Sequence, residues 1–174
     1  METAVSIQQP DAADYNWMAT LCADQFYRVH ETGFVNEDLH WLIDYKFNPL
    51  ALQEDIETAE NSYWVAFINQ QPAGCVKLGP TSLSLAKQHP KAIELSRLYL
   101  FAHITGHGIG KLLLLTALAA AIKMGYTSCW LHVYIENPGA RRFYEREGFT
   151  VVGTEQLLVK NSKPEGWVMM KTLV

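Results

Sequence analysis

Glu94-Leu-Ser-Arg-Leu-Tyr-Leu-Phe101, then Ala102-His-Ile-Thr-Gly-His-Gly-Ile-Gly-Lys111, then an apolar run to Met124, is the stretch on which the fold turns. The first segment is rich in β-favouring residues, with charges at Glu94 and Arg97, and reads as a strand. Leu112 to Ala121 is dense in strong helix formers, and Gly125 stands where such a helix stops. The turn between them has glycine at alternate positions, Gly106, Gly108 and Gly110. Glycine lets backbone approach a ligand closely, and the first turn of the helix presents unpaired N–H groups with a partial positive charge. The expectation is an anion site, for phosphate above all.

Two nucleotide-binding motifs fail here. A Walker loop needs four residues between its first glycine and the Gly-Lys pair, then Ser or Thr; Gly106 is too close to Gly110-Lys111 and Leu112 follows. In the dinucleotide fingerprint G-x-G-x-x-G, Lys111 stands where the third glycine belongs.

Thr105-Gly106-His107-Gly108-Ile109-Gly110 instead resembles the signature Gln/Arg-x-x-Gly-x-Gly/Ala of the Gcn5-related N-acetyltransferases. Asn137-Pro-Gly-Ala140-Arg-Arg-Phe143-Tyr144-Glu-Arg-Glu-Gly148-Phe149 is similar to the family's second motif, Asn-x-x-Ala-x-x-Phe-Tyr-x-x-x-Gly-Phe, in the expected order. Thr105 replaces the usual Gln or Arg, which removes one side-chain contact to a pyrophosphate and leaves the backbone cradle. The resemblance implies an α/β fold with a mixed, mostly antiparallel central sheet flanked by helices. It also implies acetyl-CoA as co-substrate and, since family members are often dimers, a homodimer as one open assembly.

Bulk properties agree with a single domain over residues 1–174 that has a full hydrophobic core: 49% of residues are hydrophobic and 18% charged. No apolar run is long enough to span a bilayer, and Met1-Glu-Thr-Ala-Val5 lacks a basic lead, so the expectation is a cytoplasmic protein with no membrane partner. A net charge of −4 argues against nucleic acid. The charge is uneven: residues 1–60 hold twelve acids against Arg28 and Lys46, −10 in all, which leaves +6 for the remainder. A basic part suits an anionic co-substrate and an acidic part a cationic acceptor, although ordinary solvated faces give the same split. Cys22, Cys75 and Cys129 read as buried free thiols, and the six histidines have no metal-ligand spacing.

In chain order, the pattern predicts a strand Val5 to Gln9, a helix capped by Asp11 and running towards His30, and a helix capped by Asn36 through Tyr45. A short helix follows from Pro49 to near Glu60, then a hairpin of Ser62–Ile68 and Ala73–Leu78 across Asn69-Gln-Gln-Pro72. After the long helix come a strand Thr127 to Tyr134, a helix from Pro138 to Gly148, and closing strands Phe149–Glu155 and Gly166–Thr172.

Acetyl transfer to an amine needs phosphate anchoring, a polarised carbonyl, an unprotonated amine and a proton for the departing thiolate. By resemblance the cofactor-binding set is Leu98, Tyr99, Leu100, Thr105, Gly106, His107, Gly108, Ile109, Gly110, Lys111 and Asn137. Leu98, Tyr99 and Leu100 stand where the family has free strand backbone facing the thioester, Asn137 is equally suited to capping a helix, and Lys111 equally to lying exposed. Freeing a lysine-like amine costs roughly 4.6 kcal/mol at neutral pH, so a base assists. Glu94 is the first candidate, its alternative being a sheet-edge carboxylate paired with Arg97 or Lys91; His132 is the reserve. Tyr144 is the candidate acid: a phenol keeps its proton at neutral pH and can pass it to a thiolate. Arg141 and Arg142 reach the nucleotide end or solvent.

For the acceptor, Phe47 to Ile56, Trp64-Val-Ala-Phe67, Gly74 to Leu78 and Met170 to Leu173 resemble the bacterial polyamine N-acetyltransferase branch. An acidic first third agrees with a polycationic small-molecule amine. The basic loop Lys160-Asn-Ser-Lys-Pro164, where acids are expected, does not. The alternatives are a protein or peptide amine, another small amine such as an antibiotic, amino acid or amino sugar, and a non-catalytic acyl-CoA-binding module.

Overall fold

The computed structural model describes residues 4–104 and 107–173. Its elements run β1 (Val5–Gln8), α1 (Tyr15–His30), α2 (Asn36–Lys46), α3 (Pro49–Glu57), β2 (Ser62–Ile68), β3 (Gln71–Gly79), β4 (Ala92–Leu100), α4 (Ile109–Lys123), β5 (Ser128–Tyr134), α5 (Pro138–Arg146), β6 (Thr150–Gln156) and β7 (Glu165–Thr172). The strands form one sheet in the order β1-β2-β3-β4-β5-β7-β6. Every pairing is antiparallel except β4 with β5. The expected mixed α/β architecture is therefore observed.

Local chemistry moves three of the predicted boundaries. Asp14, not Asp11, precedes α1; its carboxylate accepts from Asp11 N–H and from Trp17 Nε1–H, each at 2.9 Å. Val35 rather than Asn36 caps α2, where Ser162 Oγ accepts from Val35 N–H at 2.8 Å. The β2–β3 turn is only Asn69-Gln70, both left-handed at φ 49° and 68°, so β3 starts at Gln71. That two-residue turn matches the twist of the hairpin, and asparagine tolerates the conformation better than most residues.

Helices cover both faces. On one side Ile109, Leu113, Leu114, Ala117 and Ala121 of α4 pack on Val76, Leu78, Ile93 and Leu95, all buried. On the other, Met18, Leu21 and Cys22 of α1 and Leu52 of α3 close over Tyr63, Val65 and Cys75. All three cysteines are buried and free, as expected; Cys22 and Cys75 place their sulfurs 4.0 Å apart. No helix among the described residues is long and apolar enough to cross a membrane.

Candidate active site

The site begins where the sheet splits. β4 pairs with β5 only over Ala92–Glu94 against Ser128–Trp130, while β5 continues to Tyr134 alongside β7. From Leu95 onward β4 has no strand partner on that side. Phe101 N–H donates to Ala73 O on the β3 side at 3.1 Å. Strand alternation then turns the backbone groups of Leu98 and Leu100 to the open edge and those of Tyr99 back towards β3. Of the expected trio, two therefore offer backbone to a ligand. Tyr99 contributes its side chain, packed on the α1 face.

A bulge adds a second consequence. β3 and β4 slip register between Lys77↔Arg97 and Leu78↔Leu95, so Ser96 is an extra residue. One inserted residue resets the in–out alternation. Glu94 and Arg97, three apart, consequently share the sheet face covered by α1 and α2.

Between the diverging strands lies a cavity of about 480 Å³, walled by β4, by Leu131 to Tyr134 of β5, by Asn137, Ala140 and Tyr144, and by Gln25, Phe26, Lys46 and Phe47 at its far end. Glu94 is buried in its wall. It pairs with neither Arg97 nor Lys91: its Oε2 accepts from Ser82 N–H at 2.6 Å, Ser82 Oγ at 3.1 Å and Thr81 Oγ1 at 3.2 Å. Among the described residues Oε1 accepts nothing, so one oxygen of a firmly oriented carboxylate stays available.

Tyr144 is buried on α5 with its ring edge-on to Phe143 and Phe149, so it is both core contact and cavity wall. Burial, reinforced by neighbouring Tyr99 and Cys129, raises its pKa well above the ordinary phenol value and keeps its proton in place. Asn137 caps α5, its Oδ1 accepting from Ala140 N–H at 3.1 Å, while the residue also lines the cavity.

Gly108 caps α4 at φ 78°, a conformation that strains any residue with a Cβ. The next N–H groups, on Ile109, Gly110 and Lys111, lie in the first helical turn, where Gly110 sits against Leu100 and Phe143. This orphaned, left-handed helix entrance next to the open β4 edge fits a phosphate-bearing thioester. His107 instead donates Nδ1–H to Ile104 O at 3.0 Å. Lys111 reaches Glu147 Oε1 at 3.2 Å. Thr105 and Gly106 lie outside the described residues.

Sequence reasoning missed a polar cluster on the Glu94 face. Lys77 Nζ lies 2.9 Å from both oxygens of Asp55, Arg97 Nη1 lies 3.2 Å from Asp55 Oδ2, and Tyr63 donates to the same oxygen. Burial raises the Asp55 pKa, but Arg97, the Tyr63 hydroxyl and Lys77 outweigh it and hold the carboxyl below its usual range. Burial, with Arg97 nearby, lowers the pKa values of Lys77 and Lys46. These partners come from α3, β2, β3 and β4, and no local motif joins them.

His132 also lines the cavity; its Nε2 lies 2.9 Å from Glu155 O and so carries the hydrogen, leaving Nδ1 as the acceptor. His30, a helix end in the sequence reading, is buried against Phe26, Phe34 and Tyr134. Its Nδ1 has no partner, and burial, then His132, lowers its pKa to about 4.

The family model for the acetyltransferase (GNAT) family matches residues 18–149, from α1 through the second motif. The chain belongs to this family. An uncharacterized N-acetyltransferase of Mycobacterium bovis is 33% identical over 90 residues, 52% of this chain and 58% of that protein, so the match spans a little over half of either. Another, from Lactobacillus delbrueckii, is 22% identical over 172 residues, 99% of each chain. Among solved structures, the PaiA N-acetyltransferase of Thermoplasma acidophilum in complex with coenzyme A superposes with a TM-score of 0.76 at 23% identity, over 97% of this chain and 99% of that one. The spermidine/spermine N-acetyltransferase SpeG of Vibrio cholerae gives 0.64 at 16%, over 97% and 92%. At these identities the likeness is one of fold.

Proposed function

We propose that the GNAT chain is an acetyl-CoA-dependent N-acetyltransferase that moves the acetyl group to a primary amine by direct attack. The observation that supports this most is the meeting, around one cavity, of the open β4 edge, the oriented Glu94 and the protonated Tyr144. The co-substrate supplies an activated acyl carbon and a thiolate leaving group. Main-chain N–H groups at the start of α4 hold its phosphates, and the open edge at Leu98 and Leu100 binds its arm and polarises the carbonyl.

Glu94, through Oε1 and directly or by way of a water, takes the proton of the incoming ammonium. As the C–N bond forms and the C–S bond breaks, Tyr144 gives its phenolic proton to the sulfur and regains one as the new amide nitrogen sheds its second proton. His132 Nδ1 is the alternative acceptor of the amine proton, and comparison of Glu94→Gln with His132→Gln separates the two. A non-catalytic binder has no use for Tyr144. The Tyr144→Phe variant is therefore expected to lose about a hundredfold in kcat for thiol release while its acetyl-CoA affinity holds within about twofold. Undiminished kcat would remove Tyr144 from the mechanism.

The acceptor belongs to the small primary amines on this reading, since the cavity between the diverging strands measures about 480 Å³. The polyamine branch rests on the sequence resemblances and the acidic first third. Those acids, however, lie elsewhere than the cavity wall: Asp24 pairs with Arg28, Asp38 accepts from Asn161 N–H and Ser162 Oγ, and Asp55 holds Lys77 and Arg97.

A further inference from the structure

The cavity wall contains one acid, Glu94, against three cations, Lys46, Lys77 and Arg97. Its share from the acidic first sixty residues is Gln25, Phe26, Val29, His30, Lys46 and Phe47, with no carboxylate among them. Asp55 neutralises part of this charge from behind, by gripping Lys77 and Arg97. A positive excess remains, and it has free donors. Lys46 Nζ makes no hydrogen bond or ion pair among the described residues. The buried Arg97 guanidinium, stacked 5.0 Å over Phe47, presents Nη1 to Asp55 and Tyr63. Its other nitrogens have no partner among the described residues, and His30 Nδ1 is the one buried side-chain polar atom left unpaired there. The spare Arg97 N–H groups therefore open onto the cavity.

Position gives these donors a role. The co-substrate end of the cavity is set by Asn137, Ala140, Tyr144 and the open β4 edge, so the end towards Lys46 and Phe47 remains for the acceptor. The bulge at Ser96 puts Glu94 and Arg97 on one face, three residue steps or roughly 10 Å of backbone apart at most.

Resting on the transfer reading above, we infer that the acceptor is a small amine that also bears an anionic group, a carboxylate or a phosphate. Its amine faces Glu94 and its anion is held by Arg97 and Lys46. Arginine suits such recognition because its planar donors pair with both oxygens of an oxyanion. A polycation would place its far ammonium among these cations at a cost.

The test is acetyl-CoA thiol release with matched acceptors: lysine against cadaverine, tyrosine against tyramine, O-phosphoethanolamine against ethanolamine, with spermidine alongside. The anion-bearing member of a pair is expected to have kcat/KM at least about tenfold higher, and the pair that responds tells carboxylate from phosphate. Lys46→Ala, which removes a cation with no hydrogen-bond or ion-pair partner to lose among the described residues, is expected to shrink that ratio by about tenfold through KM. Arg97→Lys, which keeps the charge and loses the fork, is expected to shrink it also. Preference for cadaverine or spermidine overturns the inference, as does a Lys46→Ala effect confined to acetyl-CoA affinity; both leave the transfer reading standing. No turnover with any amine overturns the transfer reading, and this inference with it.

Discussion

The two faces of the central sheet are built on the same strands and do opposite things. On the α4 face the inward side chains from Val76 and Leu95 to Leu113 and Ala117 are apolar and need no specific partner, the Tyr144 hydroxyl being set among them. On the α1 face the same strands turn Lys77, Glu94 and Arg97 inward, each oriented by a group from another element. Packing on the first face depends on volume, whereas on the second it depends on pairing. A fold can therefore rest its stability on one face and keep charged groups poised on the other, and the bulge at Ser96 is what lets Glu94 join Arg97 there.

Substitutions that separate the two faces sharpen this contrast. The largest effect is expected from Leu113→Ala, which empties a fully buried site in the α4 core: about 4 kcal/mol of stability lost by denaturant titration, with the acetyl-CoA site affected only through folding. Next comes the pH dependence set by His30. Its folded pKa of about 4 lies below its ordinary value of 6.5, so the unfolded chain binds a proton that the folded one refuses. Stability from this source is complete above about pH 6.5 and falls by roughly 3 kcal/mol as pH drops towards 4, and His30→Leu should flatten that slope. An unchanged slope would mean that His30 titrates as if exposed.

Asp55→Asn strikes the polar face by leaving Lys77 and Arg97 without their carboxylate, at an expected cost of about 2 kcal/mol, with no comparable loss for an exposed acid such as Asp24. The smallest effect belongs to Lys111→Ala. Its pairing with Glu147 is half exposed, so stability should shift by less than about 0.5 kcal/mol and acetyl-CoA affinity should barely move. A large affinity loss would return Lys111 to the anion site.

Much of the fold was legible because it is written locally. The helix breakers Gly125 and Gly148, the helix-opening Pro49 and Pro138, and the alternation in Ser128–Tyr134 each act within a few residues. Asp11 was read as a cap because it is the right kind of residue; Asp14 took the position by binding Asp11 N–H and Trp17 together. The site was half legible. Tyr144 and Asn137 belong to one motif on one helix, and both reach the cavity. Arg97, Lys46 and Lys77 were missed as site residues, because their roles depend on a one-residue slip between β3 and β4 and on Asp55 arriving from α3. Neither has a signature in a single stretch of chain.

Hydrogen exchange at Leu98 and Leu100 tests the central claim, that the unpaired edge of β4 receives the thioester arm. Without ligand their amides, turned away from β3, should exchange fast while that of Phe101, bonded to Ala73, is protected. Saturating acetyl-CoA should slow Leu98 and Leu100 by about tenfold or more and leave Phe101 as it was. Protection that appears elsewhere on the sheet, with these two amides unaltered, would contradict the account.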